Sequence, residues 1–158
     1  CVELGWRKPG VAEIEFDEDI IDKDMDRHRK DFEKMAVVKK GQGKPAISVY
    51  QVLERFRRFT YVRVLPKTGR THQIRVHMAS IGHPCVADSF YGRRDAIFLR
   101  DLGVEEDPPG EPIVCRQALH AYRIKFPHPV TGEELEFSAP LAKDLERLLG
   151  LLREHRPR

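Results

Sequence analysis

Two runs rich in β-branched and aromatic residues, Ile47 to Phe56 and Phe59 to Leu65, follow one another with only Arg57 and Arg58 between them. The natural reading is an antiparallel hairpin, and the rest of the chain has to be arranged around it. The turn lacks the Asn-Gly pair that would fix its type. Pro66 to Gly69 end the second run, after which Ile74, Met78 and Ile81 recur at helical spacing up to Gly82. This predicts a short helix of about three turns, with Thr71 as its N-cap. Ala118 to Phe126 and Glu134 to Phe137 alternate on either side of the turn Pro127 to Gly132, which gives a second hairpin. Leu141, Leu145, Leu148, Leu149 and Leu152 form the apolar stripe of a closing amphipathic helix.

Toward the N-terminus, Ala12, Ile14 and Phe16 alternate with Glu13 and Glu15, the pattern of a strand with one buried face, and the acidic stretch after it reads as a loop. Met35 to Val38 is a short apolar run closed by the flexible basic segment Lys39 to Pro45. His83 to Tyr91 contains Pro84 and precedes Gly92, so it is expected to be irregular; residues 103–112, with three prolines and two glycines, are expected to form a mobile surface loop. Neither is expected to supply core. There are no internal repeats and no βαβ alternation, so the fold class is α+β around a mainly antiparallel sheet with flanking helices.

With 158 residues, 41% of them hydrophobic, the chain suits one domain or most of one. Lys and Arg (28) only slightly exceed Asp and Glu (25), so net charge identifies no polyanionic partner. Acidic residues crowd Glu13 to Asp31 and Asp101 to Glu111, whereas the middle and far C-terminus are richer in basic ones, a distribution compatible with one basic face. Cys1, Cys85 and Cys115 are odd in number and lack a CxxC pair, which argues against a disulfide framework and makes a reducing cytoplasm the expected setting. No apolar run approaches the ~20 residues of a membrane span. The sequence opens at Cys1 directly in an apolar stretch with Val2, Leu4 and Trp6, which is read as a start inside a folded domain.

The densest polar constellation is Thr68-Gly69-Arg70-Thr71-His72-Gln73-Ile74-Arg75-Val76-His77. A glycine turn and two arginines at a helix start attract anions, because first-turn N–H groups are free and the helix dipole is positive there. A capped amphipathic helix whose Arg75 is a surface or core-edge ion-pair partner would look the same. His72, His77, His83 and Cys85 also fall in one window, but His72 and His77 are five apart, where ligands on one helical face want three or four. No metal is therefore expected, and the histidines are read as hydrogen-bonding or positioning groups.

TGRTHQIRVHMASIGHP, continuing as CVADSFYG, closely resembles the motif-III region of RluA/RluD-type pseudouridine synthases. KMAVVKKGQGKPAISVYQVLERF before it and RQALHAYRIKFPHPVTGEELEFSAPL after it agree with the family in the same order. The likeness covers most of the chain from Lys34 to Leu149, and CVELG resembles the strand after the family's tyrosine-bearing motif. The resemblance implies a central sheet crossed by an RNA-binding cleft and an isomerisation of uridine to pseudouridine without a cofactor. In the family an aspartate of an HRLD-type motif attacks the nucleotide, and the base must leave its stack to reach it. Arg75 matches the arginine that pairs with that aspartate; the pairing keeps a semi-buried carboxylate ionised. Ile74 matches the apolar position near the target base, and Gly69, Arg70, Thr71, His72 and Gln73 match the segment that approaches RNA. For Gly69 a required turn is the plainer role, and for His72 and Gln73 hydrogen bonding behind the substrate. The basic segment Lys39 to Pro45 is as well read as a solvated connector as an RNA contact. Asp88, Tyr91 and His120 are expected to be structural. Ala87 stands where the family commonly has glycine, which affects the local turn geometry.

No HRLD-like segment occurs in these 158 residues, and Tyr50 and Tyr61 do not occupy the place of the family's motif tyrosine. Residues 1–158 are therefore expected to be the C-terminal part of a catalytic domain, with the nucleophile elsewhere. Two other readings stay open: an RNA-binding piece without catalysis, and a half-enzyme completed by a separate N-terminal half. Which RNA is modified, ribosomal or transfer, is not fixed by these motifs.

Overall fold

The computed structural model of the chain describes residues 1–106, 108 and 110–158. Along the chain run β1 (Val2–Trp6), β2 (Glu18–Asp22), β3 (Met25–Arg27), β4 (Met35–Val37), β5 (Ile47–Phe56), β6 (Phe59–Pro66), α1 (Gln73–Ser80), β7 (Leu119–His120), β8 (Arg123–Pro127), β9 (Glu134–Ser138) and α2 (Lys143–His155). All the strand pairings are antiparallel among the described residues, so the architecture is the α+β one that the element order implies. None of its helices is long and apolar enough to cross a membrane, among the described residues.

The β5–β6 hairpin is the centre of a five-stranded sheet of order β2-β5-β6-β1-β7. Its register runs from Phe56 opposite Phe59 to Ser48 opposite Pro66, with a bulge between Val52 and Glu54. Arg58, in the left-handed region at φ 72°, makes the reversal. Tyr50 faces Val64 and Val52 faces Val62 across the hairpin, and this row packs with Ile14 and Ile21 against Ile74 and Met78 of α1. A second cluster joins Leu4, Phe56 and Phe59 to Val86, Leu102, Val114 and the α2 residues Leu145, Leu148, Leu149 and Leu152. The leucine stripe thus lies on a 13-residue helix with its buried face as expected, and Leu141 sits half-buried just before it.

Local expectations are corrected in three places. Residues 12–16 are not a strand: Ile14 is buried, Phe16 is exposed, and the ladder on β5 begins only where Val52 N–H donates to the Asp17 carbonyl, so the acidic stretch expected to be loop carries β2 and β3. Ile21 and Met25, both buried, anchor those strands. The run 118–126 is divided, because Leu119 and His120 pair with β1 while Arg123–Pro127 pair with β9 in a separate exposed hairpin. Residues 83–91 are irregular but not peripheral, for Cys85, Val86, Ala87 and Asp88 are buried and Val86 joins the α2 cluster. The loop expected over 103–112 includes Asp107 and Pro109, which lie outside the described residues, and it is flanked by buried Leu102 and Ile113.

The helix α1 has eight residues and begins at Gln73, with His72 as its N-cap in the left-handed region (φ 56°) and no side-chain cap. Thr71 is exposed and one residue too early to cap it. At the other end Gly82, at φ 85°, turns the chain; a Cβ there would lie 2.6 Å from a methyl of Val11.

Candidate functional site

Gln73, the first residue of α1, replaces the missing cap with its own side chain. Its Oε1 accepts from Thr68 Oγ1 (2.7 Å) and the Arg70 N–H (3.0 Å), and its Nε2 donates to the Ile47 carbonyl (2.9 Å) and Ser48 Oγ (3.0 Å). Ile47 N–H in turn donates to Thr68 Oγ1 at 3.0 Å. The loop 68–72 is thereby bound to the first residues of β5, with every hydrogen-bonding site of the buried amide filled.

A directed chain continues from there. A carbonyl oxygen only accepts, so His77 Nε2, 3.0 Å from the Lys23 carbonyl, carries a proton; in the neutral ring Nδ1 then accepts from Ser48 Oγ, 2.9 Å away. Burial holds the His77 pKa below its ordinary value, which keeps this ring neutral. His83 donates from Nε2 to the Ala12 carbonyl at 3.2 Å, and burial lowers its pKa too. The histidines of the 72–83 window therefore turn to separate protein partners.

Arg75 has an acidic partner inside the chain. Its Nε and Nη2 donate to Asp88 Oδ2 (2.7 Å) and Oδ1 (2.8 Å), a two-point grip on a carboxylate that is fully buried. Burial alone would raise the Asp88 pKa, but the Arg75 hydrogen bonds and the N–H groups of Tyr91 and Phe90 outweigh it and hold the carboxyl below its usual range. The same contact raises the Arg75 pKa, so the pair is ionised at neutral pH. The edge-to-face rings of Phe90 and Tyr91 lie near the guanidinium, with centroids 5.2 and 5.1 Å from Cζ and 6.2 Å from each other. Tyr91 is itself fixed: its Oη accepts the Met35 N–H of β4 at 2.9 Å and lies 2.9 Å from His72 Nδ1. Burial, then the Arg75 cation, lowers the His72 pKa, so that ring is neutral at pH 7.

The residues singled out in the sequence are thus divided by the fold. Arg75, His72 and Gln73 share one hydrogen-bonded region with Asp88 and Tyr91. Arg70 is half-buried, its Nε on the Pro45 carbonyl at 3.0 Å, which ties the loop to the basic segment that ends at Pro45. Thr71 and Gly69 are exposed, and a Cβ at Gly69 would meet open space, so nothing in its surroundings demands glycine. Ile74 is directed into the core beneath α1. Ala87 does take the left-handed conformation that favours glycine, at φ 54°. His120 is half-buried, with Nε2 3.5 Å from the Ala139 carbonyl.

From the sequence Asp88 and Tyr91 are expected to be structural, and Arg75 either pairs with an aspartate that these 158 residues lack or is a surface or core-edge ion-pair partner; the structure gives it Asp88 as that partner. The signal that points to their place is an aspartate set among Val86, Ala87, Phe90 and Tyr91, since a carboxylate in such company needs a cation.

Residues 10–80 match the family model described as RNA pseudouridylate synthase. The chain is 47% identical over 145 residues to the ribosomal large subunit pseudouridine synthase D of Vibrio cholerae, an alignment covering 85% of this chain and 40% of the relative. It is 46% identical over 143 residues to the enzyme of the same name from Pseudomonas aeruginosa, with 86% and 41% covered. Among solved structures, human RNA pseudouridylate synthase domain containing 1 superposes with a TM-score of 0.62 at 26% identity, over 96% of this chain and 64% of that one. Human RNA pseudouridylate synthase domain containing 4, at 23% identity, shares the fold with a TM-score of 0.65 over 96% and 60% of the two chains. The chain spans about 40% of the length of these bacterial relatives. On these likenesses, and on the motif stretch from Thr68 to Gly92 that runs through Arg75 and Asp88, the chain belongs to the RluA/RluD-type RNA pseudouridine synthase family.

Proposed function

We propose that this chain is the arginine-bearing part of a cytoplasmic enzyme that isomerises uridine to pseudouridine in ribosomal RNA. The observation that carries the reading is Arg75: charged, side chain 12% exposed, gripped on one edge by Asp88 and close to the rings of Phe90 and Tyr91. The names of the bacterial relatives supply the ribosomal target. In this mechanism the attacking carboxylate comes from outside these 158 residues and docks on Arg75, whose charge keeps it ionised. The glycosidic bond breaks, the uracil turns, and carbon replaces nitrogen on the ribose. The 68–72 loop, held to β5 through Gln73, borders the RNA; Thr71 is exposed there, and Arg70 and His72 are half-buried.

The reading is tested by assaying pseudouridine formation on ribosomal RNA with the intact natural protein and its Arg75→Ala variant. Turnover is expected to fall on the order of 100-fold or more while RNA affinity changes by less than about threefold, the pattern of an interaction that acts on the reaction rather than on binding. Unchanged turnover in Arg75→Ala removes the arginine from the chemistry. RNA binding without product in the unaltered protein favours instead a non-catalytic RNA-binding piece, and product that appears only on addition of a separate N-terminal half favours a divided enzyme.

A further inference from the structure

The aspartate beneath Arg75 has no part in the reaction as proposed, yet among the described residues it is the most buried carboxylate. It is 1% exposed, its Oδ1 accepts the N–H groups of Phe90 (3.0 Å) and Tyr91 (3.1 Å) in addition to Arg75 Nη2, and its carbonyl accepts the Gly92 N–H at 2.7 Å. Gly92 cannot be enlarged without disturbing this turn, because a Cβ would sit 2.7 Å from the Asp88 carbonyl oxygen. Buried ion pairs of this kind add little net stability compared with apolar packing, since desolvation offsets most of the attraction. What the pair does supply is direction.

A guanidinium offers its donors in a planar fork, and two of its three nitrogens, Nε and Nη2, are committed to Asp88. Nη1 is the nitrogen left without a hydrogen bond among the described residues. The plane is fixed by the two-point contact, with the adjoining Phe90 and Tyr91 rings packed near it, and Tyr91 is held in turn by the Met35 N–H and His72. An arginine with its Nε–Nη2 edge free would take an RNA phosphate in the same two-point manner. With that edge filled, the donors left are the two N–H groups of Nη1 and the second N–H of Nη2, the end-on edge of the fork.

We propose that Asp88 is a positioning residue for the pseudouridine reaction: by holding the Nε–Nη2 edge it orients Arg75 so that the Nη1 end of the fork is presented to the attacking carboxylate. This rests on the function proposed above.

The test uses the intact natural protein with Asp88→Asn, Arg75→Lys, Arg75→Ala and the Asp88→Asn/Arg75→Ala pair. Asp88→Asn is expected to lower single-turnover product formation by about 30-fold with RNA affinity unchanged or tighter, and to add nothing further in the Arg75→Ala background, because it acts through the arginine. Arg75→Lys keeps the charge but not the fork and is expected to be as impaired as Arg75→Ala; this arm holds even if Asp88→Asn fails to fold. Nuclear magnetic resonance of the Arg75 Nε–H should show restricted guanidinium rotation in the unaltered protein that is lost in Asp88→Asn. Near-normal rates in Asp88→Asn, independent losses in the double variant, an active Arg75→Lys, or an unchanged Nε–H signal would each overturn the proposal. An unaltered protein that modifies no ribosomal RNA overturns the underlying function instead, whatever the Arg75 signal shows.

Discussion

Gln73 shows how much one side chain can settle. Four hydrogen bonds from a buried amide stand in for a helix cap, hold the loop 68–72 against β5, and start the chain through Ser48 to His77. Truncation would leave the Arg70 N–H without its partner and take one of two donors from the Ile47 carbonyl, which keeps the Lys67 N–H, so Gln73→Ala is expected to cost roughly 2–4 kcal/mol, read from urea unfolding. A loss below about 0.5 kcal/mol, the level of an ordinary surface change, would contradict the role given to the amide. At this scale the sequence was informative about residue type and blind to pairing. The density of polar groups between Thr68 and His77 marked the region, and the αL turn at Ala87 was signalled by a residue standing in place of glycine. The Arg75–Asp88 contact was not legible, because the two are 13 positions apart and joined by a loop whose path no local pattern fixes.

Among the elements, those with a strong internal period are the ones the sequence foretells: the β5–β6 hairpin, the β8–β9 hairpin across its Pro127–Gly132 turn, and α2. Segments of weak period were decided by partners far along the chain. Residues 12–16 alternate, but the free edge of β5 is taken by β2, and Leu119 and His120 leave the β8 run to pair with β1. The α2 stripe matters because it closes the cluster containing Val86, two residues before Asp88. Leu148, fully buried at its centre, is the sharpest probe: Leu148→Ala is expected to cost about 2–5 kcal/mol in a denaturant titration. An effect under about 1 kcal/mol would mean that the helix is not packed as described.

For the molecule as a whole, three histidines with lowered pKa values set the response to acid. In the unfolded chain each takes up its proton near pH 6.5, whereas in the fold it does so only at lower pH. Below about pH 6.5 the unfolded state therefore binds more protons, so stability is full above that value and declines as pH falls toward the folded pKa values. The decline is expected to reach at most about 1.4 kcal/mol per pH unit for each histidine, in unfolding free energies measured between about pH 7.5 and 5. His77→Asn should lessen the slope. A flat profile would show that the rings are not held neutral.

The sheet order has a further meaning when the chain is considered in time. Both strands that flank the central hairpin, β1 and β2, precede it in the sequence. A ribosome delivering this chain releases them before the surfaces they pair with exist. Hairpins close in about 1–10 μs, whereas pairings between distant segments carry a larger loop-closure cost. The β5–β6 hairpin is thus the template, β1 and β2 wait for it, and Arg75 meets Asp88 only after the segment following α1 has also been released.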